Sequence, residues 1–227
     1  MYQFLVSNML YIILLFATAF VFFWIQQFKH IIKINDITAL IIAVIHTLIG
    51  VFCVKLFAFL ESGNSGAMSL YGAIFFLPLI YYISAIIFKR KIADVFDIFT
   101  ICLFSTLAFS RINCLFVDCC LGLLIPGTEI RFPTRELEIL FYIILFILLR
   151  RKVCSKKYSG LIYPIYLIAY GTFRFIVEWL REGEPVIGLF HISHVWSLFA
   201  ILIGLLSLNL IKIHKLKNFK HGKNYKN

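Results

Sequence analysis

The sequence predicts an all-α, polytopic helical membrane protein with about seven transmembrane helices, and two observations lead to this fold class. Hydrophobic residues make up 62% of the 227-residue chain and charged residues only 15%, whereas a soluble domain contains about 25% charged residues. The apolar residues also fall into seven long runs separated by short stretches that hold most of the charges. Because no soluble fold of this length hides so much apolar surface from water, soluble, disordered and disulfide-scaffold proteins are excluded.

The seven apolar runs have the length that a membrane requires, or nearly so. A helix needs about 20 mainly apolar residues to cross roughly 30 Å of hydrocarbon. The predicted spans are residues 4–25, 37–60, 68–88, 95–123, 137–150, 160–180 and 193–212. The fourth is long and polar toward its end, where a break before Gly122 would shorten it, and the fifth is short unless it extends back through Glu136. The chain is therefore read as one transmembrane domain, 1–212, followed by a basic cytoplasmic tail, 213–227.

The positions of the basic residues predict the orientation in the membrane. Sixteen of the 22 lysines and arginines lie in one set of alternate loops and in the C-terminal tail. Cytoplasmic loops of membrane proteins collect Lys and Arg, so we expect the N-terminus outside and the C-terminus in the cytoplasm. The net charge of +11 then reflects topology, and we expect contact with the lipid bilayer and no nucleic-acid partner.

Six basic residues do not follow this pattern, because they lie within spans or toward the outer face. They are Lys55, Arg111, Arg131, Arg135, Arg174 and Arg181. An arginine inside a span costs at least about 2.5–3.5 kcal/mol on insertion scales, so it usually has a partner or faces a polar cavity. Arg111 and Arg174 are therefore the first functional candidates. The alternative is that they form structural ion pairs with Glu178 or Asp118.

The sixth span carries a polar stripe on an otherwise apolar helix. Tyr170, Arg174, Glu178 and Arg181 follow one another at spacings of four, four and three, which places them on one helical face. Guanidinium groups bind phosphate through two parallel hydrogen bonds. A phospholipid headgroup is thus the natural ligand, whereas a soluble or transported anion would need a pore or a second gate that the sequence does not indicate.

Other polar residues near the outer face are candidates with two interpretations each. His191 and His194 flank the start of the seventh span, where a histidine accepts a proton from a thiol at neutral pH or serves as a plain polar anchor. Tyr71 either donates a hydrogen bond or lies in an aromatic belt. The three cysteines 114, 119 and 120 favour a disulfide or close packing over a metal site, because structural zinc has four ligands and no histidine is near in sequence.

Four segments resemble the prolipoprotein diacylglyceryl transferase family, in particular its double-cysteine branch. Residues 170–181 match the family pattern Y-G-x-x-R-F-x-x-E-x-x-R at each fixed position, and residues 110–122 are similar to G-R-x-G-C-F-x-x-G-C-C-Y-G. Residues 132–138 are similar to H-P-[ST]-Q-L-Y-E, and residues 68–73 to M-S-F-H-G-G. The four segments occur in the family's order and cover most of the chain after about residue 60.

The resemblance implies transfer of the diacylglyceryl group of phosphatidylglycerol to the lipobox cysteine thiol in the signal peptide of a preprolipoprotein. Glycerol-1-phosphate leaves, and no metal or cofactor is expected. The implied location is the bacterial plasma (inner) membrane, with the active site toward the outer leaflet. By motif position, Arg111 holds the headgroup phosphate, Arg174 stabilises the departing glycerol phosphate and Glu178 orients Arg174. The remaining substrate-binding candidates are Arg181 at the outer rim, Gly122 beside the headgroup, Cys114, Tyr170 and Glu138.

The departures from the family pattern leave part of the function open. Tyr71 stands where the family has His, so the role of base falls to Tyr71 or His194. Cys114 and Cys119 stand where ordinary members carry Asn and Glu, and Phe132 stands where they carry His. Two alternatives therefore remain beside the implied reaction: diacylglyceryl or related lipid transfer to a different acceptor, and a non-catalytic protein that binds or transports phospholipid.

Overall fold

The computed structural model describes residues 2–64, 67–117, 119–155, 157–183 and 189–224, and the side chains from residue 8 to residue 213 within those ranges. Asp118, which the sequence offered as an ion-pair partner, lies outside the described residues. The side chains of the basic tail after residue 213 do so as well.

The described residues form seven long helices, which confirms the all-α fold class. These helices are α1 (Tyr2–Gln27), α3 (Asp36–Ser62), α4 (Tyr71–Ile87), α5 (Ile92–Val117), α6 (Thr134–Leu149), α7 (Ile162–Glu178) and α8 (Ile192–Asn224). A four-residue helix α2 (Lys29–Ile32) and a 3-10 turn at Arg150–Lys152 complete the described helical structure. The fourth predicted run ends as a helix at Val117, short of residue 123, and the fifth begins at Thr134 and so does extend through Glu136.

Four stretches are both long and apolar enough to cross a membrane: Asn8–Ile32, Asp36–Ser62, Ile92–Val117 and Ile192–Ile213. The helix Tyr71–Ile87 is apolar but shorter. At 1.5 Å per residue, the 16 and 17 residues of α6 and α7 reach about 24–26 Å, which is less than the hydrocarbon thickness. The structure thus supports a multi-pass membrane protein, whereas seven complete spans and an outside N-terminus stay predictions.

Helix α5 is the centre of the bundle. Every residue from 97 to 105 is buried, and the helix packs against α1, α4, α6 and α7. The indole N–H of Trp24 on α1 donates to the Ile98 carbonyl at 3.2 Å. The Asp97 carboxylate accepts the backbone N–H groups of Gly160 and Ile162 at 3.0 and 3.3 Å, which fixes the beginning of α7. Helix α5 therefore positions the helices on either side of it.

Helices α7 and α8 form the other close pair, which depends on a glycine. A Cβ atom at Gly171 would lie 2.6 Å from the Ser197 carbonyl oxygen, so only glycine allows this approach. The approach brings the first turn of α8, with His194 and the preceding His191, beside the polar stripe of α7. By contrast, large side chains such as Leu15, Ile37 and Ile147 are more than half exposed on the outside of the bundle, as expected for surface in contact with lipid.

Candidate functional site

A single carboxylate on α6 joins two of the buried arginines. Arg111 of α5 donates from Nε to Glu138 Oε2 at 2.5 Å, and Arg174 of α7 donates from Nη1 to Glu138 Oε1 at 3.0 Å. The three side chains are between 2% and 6% exposed. Three helices therefore meet at one ionic centre, which contains both arginines that the sequence singled out.

Glu178 extends this centre to the C-terminal end of α7. Its Oε2 atom lies 2.7 Å from Arg174 Nη2 and 3.4 Å from Arg181 Nη1. The i,i+4 contact confirms that Arg174 and Glu178 share one face of α7, whereas Arg181 lies beyond the end of the helix, in the segment that bridges Gly122. The sequence analysis gave structural ion pairs as the alternative role of the buried arginines. The contact of Arg174 with Glu178 confirms one such pair.

The ionic centre nevertheless carries an excess of positive charge. Arg111, Arg174 and Arg181 contribute three positive charges, whereas Glu138 and Glu178 contribute two negative ones, so the net charge of this set is +1. Burying an uncompensated charge is costly, and an anionic group at this place removes the cost. The centre therefore suits a ligand with one negative charge.

The loop between α5 and α6 pairs with the residues that follow α7. Gly122 forms an antiparallel bridge with Arg181, and Leu123 N–H donates to the Leu180 carbonyl at 2.8 Å. A Cβ atom at Gly122 would lie 2.1 Å from the Phe132 carbonyl oxygen. This close packing explains why residue 122 is a glycine. Its expected role of leaving room for a headgroup stays a prediction.

Arg131 and Arg135, the other two outward arginines, also hold this loop. Arg131 Nη1 donates to the Gly122 carbonyl at 3.0 Å and to Glu182 Oε2 at 2.6 Å. Arg135 Nη1 donates to the Cys114 carbonyl at 3.1 Å. These contacts stabilise the loop. They give a structural role to two arginines that the sequence analysis had identified only because they did not follow the pattern of the other basic residues.

Three cysteines form a cluster beside Arg111. The Sγ atoms of Cys114, Cys119 and Cys120 all lie within 4.8 Å of one another, and all three are free thiols, so the expected disulfide is not formed here. Arg111 Nη1 points at Cys120 Sγ at 3.3 Å and at Cys114 Sγ at 3.9 Å. A hydrogen bond from Cys114, together with the charges of Arg111 and Arg181, lowers the pKa of Cys120 to about 4. Burial raises the pKa of Cys119.

Tyr71 lies at the inner side of the centre with its hydroxyl occupied. The hydroxyl donates to the Ser193 carbonyl at 2.9 Å and lies 2.8 Å from Ser197 Oγ. The side chain is 3% exposed and its ring packs edge-on against Tyr170 at 5.8 Å. Of the two interpretations of Tyr71, hydrogen bonding is therefore confirmed and the aromatic belt is wrong.

The two histidines at the start of α8 have different surroundings. His194 lies among Phe175, Trp179 and Phe190, and its Nδ1 accepts the His191 backbone N–H at 3.0 Å. In the neutral ring the proton is then on Nε2, so His194 has no free lone pair to act as a base. His191 instead places Nδ1 at 3.4 Å from Glu178 Oε1. The sequence analysis named His194 as a candidate base. The two histidines lie only three residues apart, and this spacing alone did not show which of them contacts Glu178.

Two buried tyrosines add unpaired hydroxyl groups to the site. Tyr170, a predicted residue, stacks on Tyr142 at 6.4 Å between ring centroids. Tyr142 follows Glu138 by one helical turn and was not predicted, although its i,i+4 spacing from Glu138 was a usable signal. Neither hydroxyl has a hydrogen-bond partner among the described residues. Buried hydroxyl groups normally have one, so both are available to a bound polar group.

An apolar groove of about 210 Å³ runs between α1, α5 and α6 next to the ionic centre. Two of its lining residues, Ile112 and Ile139, directly follow Arg111 and Glu138 in sequence, and Tyr142 closes the end beside them. Phe20 and Phe146 line both this groove and a larger cavity of about 380 Å³ that reaches Arg150. The arrangement offers an apolar path that begins at buried positive charge, which suits the acyl chain of an anionic lipid.

Comparison with known proteins gives one consistent family. A protein-family model described as prolipoprotein diacylglyceryl transferase matches residues 9–210. Proteins named phosphatidylglycerol–prolipoprotein diacylglyceryl transferase are similar to this chain in Campylobacter hominis (34% identity, 42% of this chain and 34% of the relative) and Clostridium tetani (31%, 47% and 49%). One from Clostridium perfringens, with the same name followed by the number 2, is 28% identical over 68% of this chain and 66% of its own length. The alignments thus span between a third and two thirds of these relatives.

Proposed function

Because the chain belongs to the prolipoprotein diacylglyceryl transferase family, we propose that it transfers the diacylglyceryl group of phosphatidylglycerol to a lipobox cysteine thiol of a preprolipoprotein. Glycerol-1-phosphate is the other product. The similar proteins carry phosphatidylglycerol and prolipoprotein in their names. The location that we propose is the bacterial inner membrane with the ionic centre toward the outer leaflet, which the distribution of Lys and Arg supports.

The observation that carries this proposal is the pair of buried arginines joined through Glu138. Phosphatidylglycerol has one negative charge on its phosphodiester, and the three arginines at the centre outnumber its two carboxylates. When the ester bond breaks, further negative charge develops on the departing phosphate oxygen. Preorganised guanidinium groups in a site without water stabilise that charge in the transition state. Arg111 is proposed to hold the phosphate and Arg174 to stabilise the leaving group.

The proposed reaction is a displacement at carbon. The acceptor sulfur attacks the glyceryl carbon that bears the phosphate ester, a C–S bond forms, and the C–O bond breaks with its electron pair passing to glycerol phosphate. The acceptor thiol loses its proton because the thiolate is the nucleophile. We propose His191 as the base, since its Nδ1 lies 3.4 Å from Glu178 Oε1, which favours the tautomer with the proton on Nδ1 and leaves Nε2 to accept a proton. An acyl chain of the lipid lies in the groove lined by Ile112 and Ile139.

The test is a release assay with purified full-length protein, labelled phosphatidylglycerol and a lipobox peptide. Wild-type protein should release glycerol phosphate and add the diacylglyceryl group to the peptide. Arg111→Ala and Arg174→Ala should each lose this activity at least a hundredfold, while Lys91→Ala, which removes an exposed basic side chain away from the ionic centre and both cavities, should keep it. Folded protein that releases no glycerol phosphate with any thiol acceptor would show that the site binds lipid without reaction.

A second candidate is transfer of the same group to a different acceptor, and the surroundings of Tyr71 favour it. The family pattern has His at this position, whereas the Tyr71 hydroxyl is engaged by Ser193 and Ser197. A changed base is consistent with a changed acceptor. Labelling of the acceptor distinguishes the two reactions, because only lipobox transfer leaves the diacylglyceryl group on the cysteine of the peptide.

A further inference from the structure

The three-cysteine cluster at the outer end of α5 has the composition of a metal site with one open position. Cys114 lies on the last turns of α5, and Cys119 and Cys120 lie in the loop that follows. Their sulfur atoms all lie within 4.8 Å of one another. In a zinc site with Zn–S bonds of about 2.3 Å, the sulfurs lie about 3.8 Å apart. The three side chains are half-buried, and their sulfur separations, at most 4.8 Å, exceed that spacing by about 1 Å or less.

The surrounding contacts hold the cluster in shape. Cys120 adopts a left-handed conformation with φ of 61°, which is uncommon for a residue with a side chain. The Cys120 carbonyl accepts from Thr134 Oγ1 at 3.3 Å, and the Cys114 carbonyl accepts from Arg135 Nη1 at 3.1 Å. Three soft sulfur donors from two segments are thus fixed by α6, and sulfur donors of this kind select zinc or Cu(I) among biological metals.

Arg111 supplies the charge that such a site needs. Zn²⁺ with three cysteine thiolates carries a net charge of −1. The Arg111 Nη1 atom already lies 3.3 Å from Cys120 Sγ and 3.9 Å from Cys114 Sγ, so it donates to the sulfurs and places a positive charge beside the complex. Outer hydrogen bonds of this type orient metal ligands and adjust their strength. The same guanidinium group also bonds Glu138, which connects the cluster to the ionic centre.

We propose that Cys114, Cys119 and Cys120 bind Zn²⁺ and that the acceptor thiol of the substrate occupies the fourth position. Catalytic zinc sites have three protein ligands and an open position. The sequence offered no fourth ligand, which argued against structural zinc. A catalytic site requires this same set of three ligands. The acceptor thiol gives its proton to the base and binds as thiolate. Its sulfur then attacks the glyceryl carbon as described above, leaves zinc as a thioether, and the released glycerol phosphate carries the negative charge. The open-position role rests on the proposed transferase function, whereas metal binding does not.

Metal binding is tested on the full chain in detergent, first without substrate. Protein equilibrated with Zn²⁺ and then dialysed should retain one zinc per chain by mass spectrometry of the metal, and zinc should protect the three thiols from alkylation compared with chelator-treated protein. Single Cys→Ser variants at 114, 119 and 120 should each lose zinc at least tenfold. Cys154→Ser, which removes a free thiol elsewhere, should retain it. Equal zinc in the cluster variants, or a disulfide within the cluster after anaerobic purification without metal, overturns the proposal.

The open position is tested with Co²⁺ in place of zinc. Addition of a lipobox peptide with Cys should raise the sulfur-to-cobalt charge-transfer absorbance by about a third, from three thiolates to four. The same peptide with Ser should leave the spectrum unchanged. Identical spectra with both peptides overturn the role for the acceptor. These measurements need no turnover, so they are distinguishable from a failure of the transfer reaction, which appears only as absent glycerol phosphate.

Discussion

The carboxylate of Glu138 accepts from Arg111 at 2.5 Å and from Arg174 at 3.0 Å, although the two arginines lie on different helices and 63 positions apart. Glu138 is therefore the residue that converts two costly buried charges into one site. The groove, the unpaired tyrosine hydroxyl groups and the cysteine cluster all surround this ionic centre.

Removing the charge of Glu138 should destabilise the protein. Glu138→Gln leaves Arg111 and Arg174 buried with too little compensation, and breaking a buried ion pair on one side costs about 3–5 kcal/mol. The exposed pair of Arg131 with Glu182 provides the matched control, since Glu182→Gln should cost about 1 kcal/mol or less. Unfolding of both variants in detergent checks this. Equal stability of the two variants would contradict the central role of Glu138.

Arg174 should not tolerate replacement by lysine. Arg174 contacts Glu138 and Glu178 through two different nitrogen atoms, and a lysine ammonium cannot reproduce this fork and also face a phosphate. We expect Arg174→Lys to lower kcat about 10- to 100-fold with a smaller change in KM, because the lost stabilisation belongs to the transition state. Arg90→Lys serves as control, because Arg90 contacts the Ile32 carbonyl and lies away from the ionic centre and the groove. An unchanged kcat in Arg174→Lys would show that charge alone is sufficient.

Variants of the two histidines should differ in how their reaction rates depend on pH. His191→Ala removes the ring that contacts Glu178 and should lower kcat by about 10²- to 10⁴-fold near neutral pH. The rate should recover as the pH rises toward about 8.5, where an ordinary thiol ionises without a base. His194→Gln should lose far less and show no such recovery. A pH-rate profile of both variants decides the question, and the reverse pattern would restore His194 as the base.

Filling the apolar groove should weaken lipid binding without affecting the ionic centre. Ala108 lines the groove between α5 and α6, and Ala108→Phe places a ring where an acyl chain is proposed to lie. We expect KM for phosphatidylglycerol to rise about tenfold, since one extra large side chain occupies much of the available space. Leu148→Phe, on the exposed side of α6, is the control. An unchanged KM in folded Ala108→Phe would place the lipid elsewhere.

Much of the fold and part of the site followed from the sequence. The hydrophobic runs predicted the helices because burying the backbone in lipid requires helical hydrogen bonding. The i,i+4 spacing of Arg174 and Glu178 predicted their contact because neighbours at that distance share a face. The break after α5 was also visible, as polarity rises before Gly122.

What the amino-acid sequence determined by itself is therefore local: a multi-helix membrane chain, the polar stripe of α7, and the identity of the two buried arginines. The tertiary structure decided which groups face each other. It joined Arg111 to Arg174 through Glu138, placed His191 rather than His194 against Glu178, and gathered three sulfurs beside Arg111. These pairings depend on how helices pack, and packing is set by close approaches such as that at Gly171, which spacing along one helix does not encode.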